Sequence, residues 1–167
     1  SSTGYQPNLA PLPADQTGRI PVTEIFLSVQ GEGRWAGYPA LFIRLAYCNL
    51  GCVWCDTRFT WDKDKLDAGR ILSPTAIAEQ AKELVPQHSL RCGLHVVITG
   101  GEPMLHQHQL PELIDALTTA GFVFFEIETN GTFAPSSMLI DRISWWNCSP
   151  KLSNNGLTPA VNLNSEA

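Results

Sequence analysis

Cys48, Cys52 and Cys55 stand as C-x-x-x-C-x-x-C in the stretch RLAYCNLGCVWCDT, with Trp54 directly before the last of them. A 4Fe-4S cluster holds four irons and normally takes four thiolates, so a three-thiolate loop leaves one iron open to a ligand that is not protein. That open iron is where chemistry would start. The same residues have plainer readings. A structural zinc site is closed by four ligands, and the fourth would come from Cys92, Cys148 or one of the four histidines. A disulfide framework fits less well, because five cysteines is an odd number and a domain of this length buries enough core without staples. Cys92 and Cys148 stand alone beside apolar residues and read as small buried hydrophobes.

The rest of the composition narrows the partners. With 44% apolar and 16% charged residues over 167 positions, the chain reads as one soluble globular domain. No apolar run approaches the roughly 20 residues of a membrane span. A net charge of −5, with eleven basic residues scattered along the chain, lacks the basic stripe that nucleic acid requires. Residues 1–19 carry three prolines and little apolar periodicity, so they read as a flexible N-terminal tail and 20–167 as the core domain.

The elements that must position the cysteines alternate between strand and helix patterns. Val22 to Val29 and Ala40 to Leu45 read as strands joined by the glycine-rich turn GEGRWAGYP. Ser73 before Pro74 is a helix start, and Ile77, Ala78, Ala81, Leu84 and Val85 fall on one face before Pro86 stops it. His95 to Thr99 reads as a buried strand leading into Gly100-Gly101-Glu102-Pro103. A helix presenting Leu110, Leu113, Ile114 and Leu117 then ends at Gly121. Phe122 to Glu128 is another strand, followed by a short helix near Ser137 to Arg142 and a strand over Ser144 to Cys148. Strands separated by helices imply parallel βαβ units. Loops at the carboxyl ends of parallel strands are where such folds assemble sites, and four of them carry the unusual residues: the cysteine loop, GGEP, ETNG and SPK. They are expected to converge on one pocket.

The cysteine spacing, with an aromatic residue before the last cysteine, resembles the radical S-adenosylmethionine superfamily. That resemblance implies a partial, TIM-type parallel β/α barrel, a 4Fe-4S cluster and S-adenosylmethionine as cofactors, and a reaction begun by one-electron cleavage of the sulfonium. The cofactor carries the hard chemistry and the protein aims it. FLSVQGEGRWAGYPALFIRLAYCNLGCVWCDTRFTW, followed by HVVITGGEP, EIETNGT and NCSPK, narrows the resemblance to the 7-carboxy-7-deazaguanine synthase family of queuosine and deazapurine biosynthesis. It covers about Pro21 to Lys151. In that family a lyase reaction contracts the ring of 6-carboxy-5,6,7,8-tetrahydropterin with loss of ammonia, aided by Mg2+.

The resemblance assigns residues one by one. Cys48, Cys52 and Cys55 would hold the cluster and Thr57 the magnesium, an ion suited to one hard protein oxygen beside substrate and water. Trp54, Cys55, Asp56, Gly101, Glu102, Glu128, Ser149, Pro150 and Lys151 would surround S-adenosylmethionine. Val29, Gln30, Gly31, Glu32, Arg44 and Thr99 would meet the pterin, with Val29 standing where the family has leucine. Glu32 would face the N-C-N edge of the pterin and Arg44 its carboxylate. A solvated turn acid and a strand-end ion pair are the plain alternatives for those two. The family also implies a flavodoxin-type or other electron donor, a homodimer and a cytoplasmic setting. Its members continue further beyond S-P-K, so the barrel is expected to lack a C-terminal segment. A glycyl-radical-enzyme activase shares the cysteine loop, but the Q-G-E-G turn, Arg44 and C-D-T favour a small carboxylated substrate over a protein loop. A non-enzymatic zinc-stabilised binding module is the other class.

Overall fold

A computed structural model of the chain describes residues 18–48, 50 and 70–150. Six strands form one sheet: β1 (Ile20–Val29), β2 (Pro39–Leu45), β3 (Arg70–Leu72), β4 (His95–Gly100), β5 (Phe124–Thr129) and β6 (Trp145–Cys148), in the order β3-β1-β2-β4-β5-β6. From β2 to β6 every pairing is parallel, while β1 runs antiparallel to both β2 and β3. The alternation of strands and helices missed that antiparallel edge. Only residues 30–38 join β1 to β2, and a parallel crossover needs a dozen or more residues. The three-residue β3 was also not anticipated, being too short to show a period.

Each parallel connection steps to the next strand in the same direction, without the reversal that defines a doubly wound sheet. The helices therefore collect on one face, as around a barrel. α1 (Pro74–Leu84) begins where Ser73 Oγ accepts from the amide of Ala76 at 3.2 Å, with Pro74 in its first turn. α3 (Leu110–Thr119) and α4 (Ser137–Ile140) follow the short α2 (Gln87–Arg91). Ile77, Ala81, Leu110, Leu113, Ile114, Leu117 and Leu139 from these helices bury against Leu41, Ile43, Leu45, Val96, Ile98, Phe125 and Ile127 of the sheet. Leu84, expected on that face, is exposed at the end of α1. Phe122 is buried but precedes β5, which begins at Phe124. Cys92 and Cys148 are exposed, against expectation. Cys92 follows α2 in a turn, and Cys148 ends a strand at the sheet edge.

Because side chains alternate across a strand, the residues between these core positions share the opposite, concave face. Ala40, Phe42, Val97 and Phe26 form its small apolar part, with Phe26 stacked on Phe42 at 5.2 Å. Polar side chains take the remaining positions. Among the described residues no helix is long and apolar enough to cross a membrane.

Leu45 and Gly100 are register partners at the carboxyl end of the parallel pair β2–β4, so the chain leaves both strands side by side. The Gly101 amide donates to the Leu45 carbonyl at 3.2 Å, and the Glu102 amide to the Tyr47 carbonyl at 2.8 Å. A Cβ on Gly101 would run into the Tyr47 carbonyl and lie 2.9 Å from Cys48 Cβ. Gly100, at φ +144°, has the same problem against Leu45 and a backbone conformation that favours glycine. Gly101→Ala is therefore expected to cost about 1–3 kcal/mol by forcing two backbones apart. Thermal unfolding checks this, and an unchanged melting temperature would show that the contact carries no weight.

Candidate functional site

Of the four loops expected to converge, the described parts do meet along one rim. Tyr47 adopts φ +72°, uncommon for a residue with a side chain, and this bend delivers Cys48 beside Gly101. Cys48 is half-buried, and its Sγ accepts from the Leu50 amide at 3.4 Å. His106 supports the bend from below. It closes the 3-10 helix Pro103–His106, is buried, and donates from Nε2 to the Ala46 carbonyl at 2.8 Å. Burial lowers its pKa, which keeps the ring neutral, while the Ala46 bond opposes that shift. Sequence reading passed over His106, since a lone histidine after GGEP carries no spacing signal.

Glu102 ties GGEP to ETNG. Its side chain is fully buried, Oε1 accepting from the Met104 amide at 3.0 Å and the Thr129 hydroxyl at 2.7 Å, and Oε2 from the Asn130 amide at 2.7 Å. These bonds make Glu102 a brace between loops, with its carboxylate committed to the protein's own donors. Asn130 then organises the turn that follows, its Oδ1 accepting from the amide and hydroxyl of Thr132. The Ser149 amide donates to the Thr129 carbonyl at 2.9 Å, which brings Ser149 and Pro150 to the same rim. Cys52, Trp54, Cys55, Asp56, Thr57 and Lys151 lie outside the described residues.

Below the rim, the concave face gathers most of the residues expected at the substrate. Thr99 donates to Glu128 Oε2 at 2.8 Å. Desolvation raises the Glu128 pKa, and the polar side chains of Thr99 and then Gln30 oppose the rise. The charge of Glu32 adds to the rise and that of Arg44 offsets it. Glu128 thus keeps company with Thr99, Gln30, Glu32 and Arg44. Glu32 and Glu128 line a cleft of about 290 Å³ together with Gly33, Arg34, the β6 residues Trp145 to Cys148, and Ser149.

Arg44 takes up the pairing that register imposes on it. It faces Glu24 across β1–β2, and Nε donates to Glu24 Oε1 at 2.6 Å. Its guanidinium also lies 5.6 Å from the Phe26 ring centroid. The plain reading of a strand ion pair therefore holds for Arg44, on the face where a ligand carboxylate would also have to bind. Val29 and Gly31 are exposed. Val29 follows Ile25 and Leu27 on the core-side face of β1, so of these two residues only the backbone can turn toward the cleft.

The glycine-rich turn closes the opposite end. Trp35 packs edge-on against Tyr38, His95 and Phe124 at 5.1–5.4 Å. Arg34 lies over the rings of Trp35 and Trp145 at 5.5 and 5.3 Å. Gly33 sits so close to the Asn147 amide that a Cβ would collide with it. A turn between two neighbouring strands thereby reaches the far edge of the sheet and floors the concave face.

A loop of three cysteines suits iron and sulfide, because soft thiolates select such clusters, and the one described cysteine of the three, Cys48, is partly accessible and has an amide donor at its sulfur. Among the described residues no group of three or more His, Cys, Asp or Glu is placed to hold a metal ion.

Comparison with known proteins agrees with this arrangement. A 7-carboxy-7-deazaguanine synthase of Pyrobaculum aerophilum is 42% identical over 142 residues, covering 84% of this chain and 59% of the relative. The enzyme of that name from Escherichia coli K12 is 38% identical over 149 residues, covering 83% and 64%. The crystal structure of QueE from Escherichia coli matches with a TM-score of 0.60 at 35% identity, over 80% of this chain and 61% of that one. The chain thus spans roughly three fifths of the length of these relatives. Residues 42–141, which run from β2 through α4 and contain the cysteine loop, GGEP and ETNG, match the Radical SAM superfamily, and the chain belongs to that superfamily.

Proposed function

We propose that this chain carries the catalytic core of a 7-carboxy-7-deazaguanine synthase, a carbon-nitrogen lyase that contracts the ring of 6-carboxy-5,6,7,8-tetrahydropterin. The observation that carries the reading is the grouping of Thr99, Gln30, Glu32 and Arg44 around Glu128, beneath a rim that presents Cys48. Three thiolates, Cys48, Cys52 and Cys55, would hold a 4Fe-4S cluster with one iron left for S-adenosylmethionine. Bound there, the pair supplies a carbon-centred radical that can take a hydrogen atom from substrate.

The chain's own residues then have to bind, orient and exclude. Gly100 and Gly101 bring bare backbone against the loop that bears Cys48, leaving polar main-chain groups for a cofactor's amino group and Trp54 for its adenine. Glu102 holds GGEP and ETNG at a fixed separation. Ser149, Pro150, Lys151 and Asp56 complete the cofactor side in this reading. Glu128 was expected there too, but its partners support a place on the substrate side. Glu32 and Glu128 give two carboxylates for the donor-rich N-C-N edge of a pterin, and Arg44 gives a guanidinium for its carboxylate. Binding that carboxylate would require Arg44 to share its fork with Glu24. Thr57 would lend its hydroxyl to Mg2+. The floor of Trp35, Tyr38 and Phe124 keeps water from one end, as a radical reaction requires. The reading extends to a homodimer in the cytoplasm, served by a flavodoxin-type or other electron donor.

Anaerobic reconstitution is expected to load about four irons per chain and to change the visible spectrum when S-adenosylmethionine is added. Ala at Cys48, Cys52 or Cys55 removes both effects. Stoichiometric zinc with no iron uptake would instead support a zinc-binding module.

Arg44→Ala is expected to weaken binding of the carboxylated pterin by about 2–5 kcal/mol, the usual loss for one partner of a desolvated charge pair, while iron loading stays intact. Calorimetry that shows unchanged affinity would leave Arg44 as a partner of Glu24 alone.

The raised pKa of Glu128 has a sign that can be worked through. A carboxyl whose folded-state pKa lies above its unfolded one favours folding most when protonated, and that contribution is lost as pH rises through the folded value. Glu128→Gln is therefore expected to raise the melting temperature at pH 8 more than at pH 4, measured in parallel on both proteins. A larger gain at pH 4 would contradict the assignment.

A further inference from the structure

One buried acid on the concave face has no part in the scheme above. Glu126 lies in the middle of β5, two residues before Glu128, and is fully buried. Its Oε1 is 2.7 Å from His95 Nδ1, and its Oε2 accepts from Gln30 Nε2 at 3.2 Å and Asn147 Nδ2 at 2.9 Å. Four residues from β4, β5, β6 and the β1–β2 turn thus meet at one carboxylate. His95 and Gln30 are also buried, and an ion of this kind stays inside a protein only when its oxygens are paired.

The donors leave one consistent orientation for every amide. Asn147 Oδ1 accepts from Trp145 Nε1 at 3.1 Å, so its Nδ2 must face Glu126. Gln30 Oε1 accepts from the Glu32 amide at 3.3 Å, so its Nε2 must face the Glu126 carboxylate. His95 is stacked on Phe124 at 4.0 Å and braced by Tyr38 at 5.4 Å, which fixes the ring that donates to Oε1. The order His95, Glu126, Gln30, Glu32 is then a continuous line of hydrogen bonds ending at the backbone of a cleft residue.

We propose that Glu126 is a positioning residue: anchored by His95, it turns the Gln30 amide so that Gln30 Oε1 holds the Glu32 backbone, and with it the Glu32 carboxylate, toward the ligand in the cleft. The inference rests on the reading that Glu32 faces substrate. A merely structural acid would hold β5 to its neighbours but would leave the Gln30 amide free to point either way.

The test has two independent readouts. The first is hydrogen exchange of the Gln30 side-chain amide by NMR, its resonances assigned by their loss in Gln30→Met. The second is the Kd of 6-carboxypterin, the stable oxidised form of the proposed substrate, with iron and S-adenosylmethionine loaded. Glu126→Leu removes the acceptor at similar volume, and at least tenfold faster exchange and at least tenfold weaker pterin binding are expected, with S-adenosylmethionine affinity within twofold of the parent. Glu126→Gln restores function: its oxygen serves Gln30 and Asn147, its amide nitrogen faces His95, and the imidazole accepts in its other tautomer. Both readouts should stay within threefold. If Glu126→Leu fails to fold, His95→Phe keeps the stack on Phe124 and gives up Nδ1, and a threefold or larger rise in Gln30 exchange is expected. Gln30 exchange as slow in these variants as in the parent overturns the proposal. A parent protein that binds no pterin while Gln30 exchange responds as stated overturns the function reading and leaves the positioning of Gln30 by Glu126 established.

Discussion

The site depends on one parallel pairing. Because β2 and β4 run together and Leu45 meets Gly100 in register, two segments more than fifty positions apart in sequence leave the sheet as neighbours. The segment after β4 has no room for a side chain at the contact. Gly101 must be bare for the Tyr47 carbonyl to pass, and Tyr47 must accept a positive φ for Cys48 to turn toward it. That conformation costs on the order of 1 kcal/mol. It persists because the Glu102 amide and the buried His106 hold the carbonyls on either side. The placing of a reactive thiolate loop is thus a matter of main-chain fit, settled before any cofactor arrives.

Much of this was legible. Short apolar runs gave β2 and β4, which are buried on both faces, and a period of 3.6 gave α1 and α3, which bury one face in the main core. Glycine pairs and capping residues marked where the strands and helices stop. What escaped had no local signal. The antiparallel direction of β1 follows from the short connection to β2, which limits topology without leaving a pattern in either strand. β3 is held by register with β1 alone. Cys92 and Cys148 read as core residues by their neighbours in sequence, and their exposure comes from ending an element at a turn and at a sheet edge.

The site divides in the same way. Motif spacing found Gly101, Glu102, Gln30, Thr99 and Glu128, but it could not say what each one touches. Glu102, expected at a cofactor, also braces two loops, and Glu128, expected at a cofactor, sits beside Thr99, Gln30 and Glu32. His95 and Glu126 were read only as strand residues and His106 was passed over, since a buried polar side chain between apolar neighbours looks the same whether it is paired or not. Only the pairing across strands tells them apart.

Three glutamates within 27 positions show how burial sorts a common residue into different work. Glu102 and Glu126 are both fully buried and fully engaged, each accepting from three donors on other parts of the chain. Satisfied carboxylates of that kind rigidify a structure and have little capacity left for a ligand. Glu128 is partly desolvated, near a second acid, and its hydrogen bonds do not cancel the cost of its burial. An acid in that condition gains most from an incoming donor, because a ligand that hydrogen-bonds it relieves a penalty already present in the folded chain. Glu102 and Glu126 hold the frame, and Glu128 keeps a desolvation cost that its hydrogen bond to Thr99 does not remove. The alternation of β5 makes this division possible: Glu126 and Glu128 share the concave face, one at the depth of the floor and the other one layer nearer the rim, with Ile127 between them locked in the core.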